Sequence, residues 1–266
     1  MMMFAVLLLA ALSEIKVDLR LDAADFVIGE RVRGVVDIAN SSPAEIDCGS
    51  VGSPDRLLVE IFRAGDMSQL TKVSRSEFVA AFTVKTGEGQ KLETFLADHY
   101  DLSKTSRYLA KPVLVHNGMR YEGMLRAFDI VDGIKVGSAM QMFKSRPGVQ
   151  REFALVYWSR KHGENLFLTA MDVGRNGRRW ETRDLGPILR IDKPSISILE
   201  SGEVVVLHRL NQDHFVRTVF WSLPRELVFR TREAVQDPET AGTQRVRELY
   251  KEGGVKPKEN PWWKFW

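Results

Sequence analysis

A single cysteine, Cys48, in a chain of 266 residues excludes any disulfide within the molecule. Stability must then come from packed cores, which a chain of this length can build once or twice over. Clustered positive charge is missing as well. The net charge of +3 comes from 38 Lys and Arg and 35 Asp and Glu mixed along the chain. A nucleic-acid surface needs its cations gathered on one face, so nucleic acid is not an expected partner. The densest basic stretch, Arg175, Arg178, Arg179 and Arg183, runs into Asp184 and reads as a solvated hairpin. Long apolar runs are absent too: Phe4 to Leu12 falls well short of the roughly 20 residues that span a bilayer. None of the five histidines, His99, His116, His162, His208 and His214, has a metal-ligand spacing, and no nucleophile elbow or phosphate loop follows a strand. No catalytic residue, metal or cofactor is therefore expected. Cys48, in SSPAEIDCGSVGSPD, is expected on a loop as an inert free thiol.

The short apolar run is itself informative. It matches the core of a secretory signal peptide, with Ala11 and Ser13 as the small residues before a cleavage point, although no basic residue precedes it. Residues 1–13 then form a signal peptide and the mature chain starts near Glu14, which places the protein outside the cell or in the periplasm. The competing reading makes the run a buried first strand.

From Ile15 onward the chain alternates, with Ile15, Val17, Leu19 and Leu21 on one face and Lys16, Asp18, Arg20 and Asp22 on the other. A period of two marks a half-buried strand. Further strand candidates are RVRGVVDIAN, LLVEIFRA, EFVAAFTVK, KLETFLADHYDL, RYLAKPVLVHN and MRYEGMLRAFDIV, separated by turn-rich stretches. About seven short strands without a helical period suggest an antiparallel β-sandwich. DFVIGERVRGVVDIANSS resembles the opening hairpin of bacterial immunoglobulin-like domains. DLSKTSRY resembles the tyrosine corner of that fold, which implies that the Tyr108 hydroxyl bonds back to the main chain. The resemblance covers residues 14–137.

The second half repeats. A shift of 49 positions carries 154–186 onto 203–235 without a gap, laying LVYWSRKHGENLFLTAMD over VVVLHRLNQDHFVRTVFW and WETRD over FRTRE. Arg160 meets Arg209, Thr169 meets Thr218, Thr182 meets Thr231, Arg183 meets Arg232, and Trp180 meets Phe229. A period near 50 with several short strands per unit points to propeller blades. The units resemble sialidase-type blades, whose hairpin carries Ser-x-Asp-x-Gly-x-x-Trp. VGRNGRRW keeps Gly177 and Trp180, and SLPRELVF keeps Ser222 and Phe229; neither keeps the Asp. Two units between residues 150 and 236 are too few to close a propeller. They must pack face to face, rest on the first domain, or be completed by a partner. The sialidase arginine triad and Tyr/Glu pair cannot be assembled from two blades, so an enzymatic reading is not favoured.

TQRVRELYKEGG reads as a short helix, with Thr243 as N-cap and Val246, Leu249 and Tyr250 on one face, opening a last segment at 240–266. That segment ends in ENPWWKFW, whose Trp262, Trp263, Phe265 and Trp266 form the densest aromatic cluster of the chain. Three readings compete for it: a cover for the protein's own sheet edge, an anchor for a partner, and contact with a membrane interface. The sequence thus describes an all-β protein: an immunoglobulin-like sandwich, two blade-like units, a short helix and an aromatic tail. The expected function is non-catalytic binding or scaffolding toward a protein or glycan at the cell envelope, with oligomer formation open. Carbohydrate-binding or carbohydrate-active function is the alternative, and protease inhibition a third. The tail aromatics, with His162 and His214 in the turns KHGEN and LNQDH, are the candidate binding residues; Tyr108, Trp180 and Phe229 are the candidate structural ones.

Overall fold

The structure, a computed structural model, describes residues 15–49, 53–143, 150–160, 163–174, 177–224 and 226–236. Strands account for 66% of it, with no α-helix among the described residues. The signal-peptide segment, the 240–266 helix and tail, and His162 lie outside the described residues.

The first ten strands are β1 (Ile15–Leu21), β2 (Asp25–Val27), β3 (Arg33–Asn40), β4 (Ile46–Cys48) and β5 (Arg56–Arg63), then β6 (Phe82–Val84), β7 (Gly89–Phe95), β8 (Ser106–His116), β9 (Met119–Glu122) and β10 (Arg126–Val131). The remaining eight are β11 (Ile134–Met142), β12 (Gln150–Arg160), β13 (Gly163–Gly174) and β14 (Gly177–Pro187), then β15 (Ser195–Ile198), β16 (Glu203–Arg209), β17 (His214–Leu223) and β18 (Glu226–Gln236). Contacts divide the chain into two units. The first holds the described residues up to Ala24, with Arg31–Asp101 and Ser106–Asp129; the second holds Asp25–Glu30, Leu102–Thr105 and the described residues from Ile130.

In the first unit, β1, β3 and β7 form an antiparallel sheet, and β10, β8 and β5 a second, with β9 pairing β8. The alternation of β1 does what its period requires, burying Ile15, Val17 and Leu19 while Lys16 and Arg20 stay exposed. Three expectations are corrected. Cys48 lies on a strand, not a loop: β4 pairs with β6 and sets Cys48 opposite Phe82. KLETFLADHYDL is not one strand, because β7 ends at Phe95 and a 3-10 turn follows at Leu96–Asp98. MRYEGMLRAFDIV breaks between β9 and β10 at Gly123, where a Cβ would sit 2.5 Å from the Val17 carbonyl oxygen and 2.6 Å from Pro112 Cγ. Only glycine fits so close an approach. The hydroxyl-to-backbone bond of the tyrosine-corner kind is seen at Tyr100, which donates to Val59 O at 2.5 Å. Tyr108 is 1% exposed, stacks on Phe128 at 5.6 Å, and has Arg63 beside its hydroxyl.

The second unit is two four-stranded antiparallel meanders, β11-β12-β13-β14 and β15-β16-β17-β18. Phe153, Leu155, Leu166, Leu168 and Leu185 from one sheet and Val204, Val206, Phe220 and Leu227 from the other form one buried cluster. The two sheets therefore pack face to face and each covers the other's apolar side. β14 and β18 stand 49 positions apart from end to end. The middle strands do not keep that step: the core-facing residues Leu166, Leu168 and Ala170 of β13 correspond to Val216, Thr218 and Phe220 of β17, 50 positions on. Register shifts at Asn165/Phe167 and at Val219/Phe220 absorb the extra residue.

One ion pair ties the sheets together. Arg151, at the start of β12 with a side chain 3% exposed, bonds Asp172 on β13 through Nε at 2.5 Å and Nη2 at 2.9 Å. Its Nη1 crosses to the other sheet and donates to Ser222 Oγ at 3.0 Å and Leu223 O at 2.8 Å. Ser222 Oγ in turn donates to Gln141 Oε1 at 2.5 Å, and the guanidinium lies over the Phe143 ring at 4.8 Å. Removing one member leaves the other buried and uncompensated, at a cost of about 3–5 kcal/mol. Asp172→Asn is accordingly expected to destabilise the second unit by that amount in urea unfolding. The double change Arg151→Met with Asp172→Leu should recover part of the loss.

Candidate functional site

The seam between the edge strands of the two sheets, β14 and β18, opens into a groove of about 480 Å³. Its apolar floor is Leu185, Phe220 and Leu227, each 2% exposed or less. Phe229 rises on one side, 56% exposed, with its edge against Phe220 at 5.9 Å between ring centres. Arg183, Asp184, Glu226 and Arg232 supply the charged lining, and Thr218 its buried hydroxyl.

The two arginines reach across the seam in opposite directions. Arg183 on β14 donates through Nη2 to Leu227 O at 3.1 Å, and Arg232 on β18 donates through Nη2 to Leu185 O at 2.7 Å. Glu181 completes the arrangement by accepting from Leu227 N at 3.1 Å and from Arg183 Nη2 at 2.5 Å. Both backbone groups that Leu227 turns to the edge are thus occupied by side chains of the facing strand. Gly186, at φ +81°, makes room for this: a Cβ there would lie 2.8 Å from Arg232 Nη2. Asp184 is turned elsewhere, accepting from Asn165 Nδ2 at 3.0 Å and from Gly186 N at 2.6 Å. The backbone of β14 bonds on its other side to Asp25–Glu30, with Thr182 N on Gly29 O at 2.9 Å and Thr182 Oγ1 on Ile28 O at 2.6 Å. Glu30 holds that segment through Arg160 Nη2 at 2.5 Å, and burial keeps its carboxyl above the ordinary range.

Two donors in this region lack a partner among the described residues, Arg183 Nε and Thr218 Oγ1, both buried atoms. Arg232 has no ion pair among the described residues, and its guanidinium acts on buried His208 nearby. Burial first, and the Arg232 charge second, push the imidazole down to about 4. His208 is then neutral at pH 7.

Of the residues marked in the sequence, Phe229 alone lines the groove. His214 lies at the far end of β17 from Leu223, its N and Nδ1 on Asn211 Oδ1 at 2.9 and 3.2 Å. His208 pairs with Val216 and not with His214. Trp180 pairs through its backbone with Met171, and its side chain lies outside the description, as do Trp262, Trp263, Phe265 and Trp266. Arg160 and Arg209, which meet in the repeat, are both engaged: Arg160 with Glu30 and over Phe167 at 4.9 Å, Arg209 with Asp192 and over Phe215 at 4.4 Å. Thr218, Gly186 and Glu181 were not marked as site residues. The pairing of Arg183 with Arg232 in the repeat was the available signal.

The first unit holds a second cavity of about 380 Å³, lined by Cys48, Asp55, Glu77, Phe78 and Phe82 among others. Beside it Asp55 and His116, 6% and 4% exposed, bond at 2.6 Å, and Asn117 Nδ2 lies 2.9 Å from His116 Nε2. Every ring nitrogen is occupied, which suits a structural clasp. Burial, with Asp55, Asp47 and Glu77 adding, pushes the Cys48 thiol up to about 12, so it is not a nucleophile at neutral pH. Among the described residues no three His, Cys, Asp or Glu side chains are placed to hold a metal ion.

Comparison with protein-family models and with curated proteins finds no match. Among solved structures, the chain is similar to the sporulation control protein Spo0M of Bacillus subtilis at 10% identity and a TM-score of 0.30, over 90% of this chain and 97% of that one. It is similar to the Pseudomonas fluorescens alkylpurine DNA glycosylase AlkC, bound to DNA containing an abasic site analogue, at 17% identity and a TM-score of 0.28. That match covers 44% of this chain and spans 30% of the glycosylase. The CsuC–CsuE chaperone–tip adhesion subunit complex of Acinetobacter baumannii follows at 11% identity and 0.25, over 83% and 97%. Likeness at these TM-scores transfers nothing to this chain.

Two outcomes are expected. His208 binds protons more weakly folded than unfolded, so its contribution is present above pH 6.5 and lost as pH falls toward 4. Wild type should lose on the order of 3 kcal/mol more than His208→Leu across that interval in urea titrations. Cys48 should resist a disulfide reagent at pH 7 in the native protein and react fully once unfolded, read by absorbance.

Proposed function

We propose that this is a non-catalytic binding protein that recognises a protein partner through the β18 edge of its second unit. The observation that carries the reading is Phe229 on the last strand, 56% exposed beside the groove, with Trp221 and Leu223 exposed at 44% and 39% on the other face of the same sheet. Phe229 lines the 480 Å³ groove from β18, the strand that ends its sheet. Exposed aromatics beside a pocket are the usual anchors of protein recognition, and an edge strand offers main-chain groups to an extended segment. The first unit, read as immunoglobulin-like, and the second, read as a pair of blade-like units, serve as rigid carriers. The apolar run from Phe4 to Leu12 supports export to the periplasm or beyond, and the Trp-rich tail is a further contact candidate.

A glycan platform is less well supported. Arg230 lies over the Trp221 ring at 4.7 Å and is paired with Glu203, so a sugar stacking on that ring face would have to displace a bonded guanidinium.

A photoreactive benzoylphenylalanine at Phe229, expressed in the source cells, should give one discrete cross-linked protein. The same residue at Lys91, on the exposed face of β7, should give none. Equal patterns from both positions, or a Phe229 probe that stays free, would overturn the reading.

A further inference from the structure

We propose that the β14–β18 groove is a carboxylate-binding site, taking an acidic side chain or a free chain end of the bound protein segment. This deepens the protein-recognition reading and rests on it. Two unmet hydrogen-bonding groups, Arg183 Nε and Thr218 Oγ1, both buried and unpartnered among the described residues, belong to the lining of the groove. Arg183 Nε can only donate, and the Thr218 hydroxyl has a donor to offer. Arg232 adds further donors, since among the described residues only its Nη2 is bonded, to Leu185 O. A ligand that satisfies this set must accept.

Charge narrows the choice. Arg183 is balanced by Glu181 at 2.5 Å, and Asp184 faces Asn165 and Gly186. Arg232 is left without an ion pair among the described residues, so its fork is open to an anion, while Asp184 and Glu226 in the same lining keep the anion it can accept to a single charge. A doubly charged phosphate would meet Glu226 on the same rim. A carboxylate matches a guanidinium fork in shape as well as charge. The floor of Leu185, Phe220 and Leu227, with Phe229 beside it, suits the apolar stem of an amino-acid side chain. Thr218 is 2% exposed, so the carboxylate would enter far enough to lose water, which strengthens each bond it makes.

The test uses the full chain with isotope-labelled arginine, reading the Nε–Hε resonances of Arg183 and Arg232 by NMR. The probes are an acetylated tetrapeptide with a free terminus, its terminal amide, an amidated peptide carrying Glu, its Gln counterpart, and inorganic phosphate. At least one carboxylate peptide should shift both resonances saturably, and its neutral counterpart should not. A response to the free terminus only assigns a chain end; a response to the Glu peptide only assigns a side chain. Arg232→Gln should weaken binding about tenfold or more, and Thr218→Val should weaken it with the arginines intact. Silence of both carboxylate peptides at millimolar concentration overturns the proposal. So does a response to phosphate alone, or an Arg232→Gln variant of unchanged melting temperature that binds as wild type does. If position 229 cross-links a partner while carboxylates leave both arginines unmoved, the recognition surface stands and the carboxylate site falls.

Discussion

The second unit depends on a charge taken out of water. Arg151 sits between two sheets with almost no exposure, and its donors are divided between Asp172 in its own sheet and Ser222 and Leu223 in the other. Apolar packing alone would let two meanders slide over each other with little penalty, because the hydrophobic effect has no direction. A guanidinium has fixed donor directions. Moving the sheets by one residue would leave it buried with part of its set unmet, so the bond sets the register in which β12 faces the β17–β18 turn.

That register places the groove. Leu185, Phe220 and Leu227 form a floor only when β14 and β18 stand level across the seam, and only then do Arg183 and Arg232 each find the other strand's carbonyl. The two register shifts matter equally. Without the step at Val219/Phe220, Thr231 and not Arg232 would stand opposite Thr218. Arg232 would then turn away from the seam, leaving His208 without the charge that helps keep it neutral.

Much of the architecture was legible in the sequence because it rests on local patterns. Period-two alternation in Ile15–Leu21 can be read from which residues are apolar, and the 49-position step from β14 to β18 from the way WETRD falls on FRTRE. What escaped depends on distant partners. QREF reads as the polar start of a strand, and nothing near Arg151 announces that its partners lie at Asp172, Ser222 and Leu223. Asp25–Glu30 belongs with the second unit through main-chain bonds to Thr182, and main-chain bonds carry no sequence signature. The arginines of the groove were visible as a repeated pair and read as solvated. Their convergence follows from two bulges that composition does not encode, and Trp-rich ENPWWKFW drew attention by composition alone.

The occupation of Leu227 has a consequence for how copies of this protein meet. A bare edge strand invites another copy to continue the sheet, and repetition of that step makes a fibre. Here Glu181 and Arg183 hold the N–H and C=O of Leu227, so a strand arriving from a second copy finds its ladder interrupted near the start of β18. Open-ended polymerisation is discouraged there, while a short guest strand engaging the edge beyond Leu227 is still accommodated. The same two side chains that close the seam thus act as a gatekeeper, separating selective docking from runaway association.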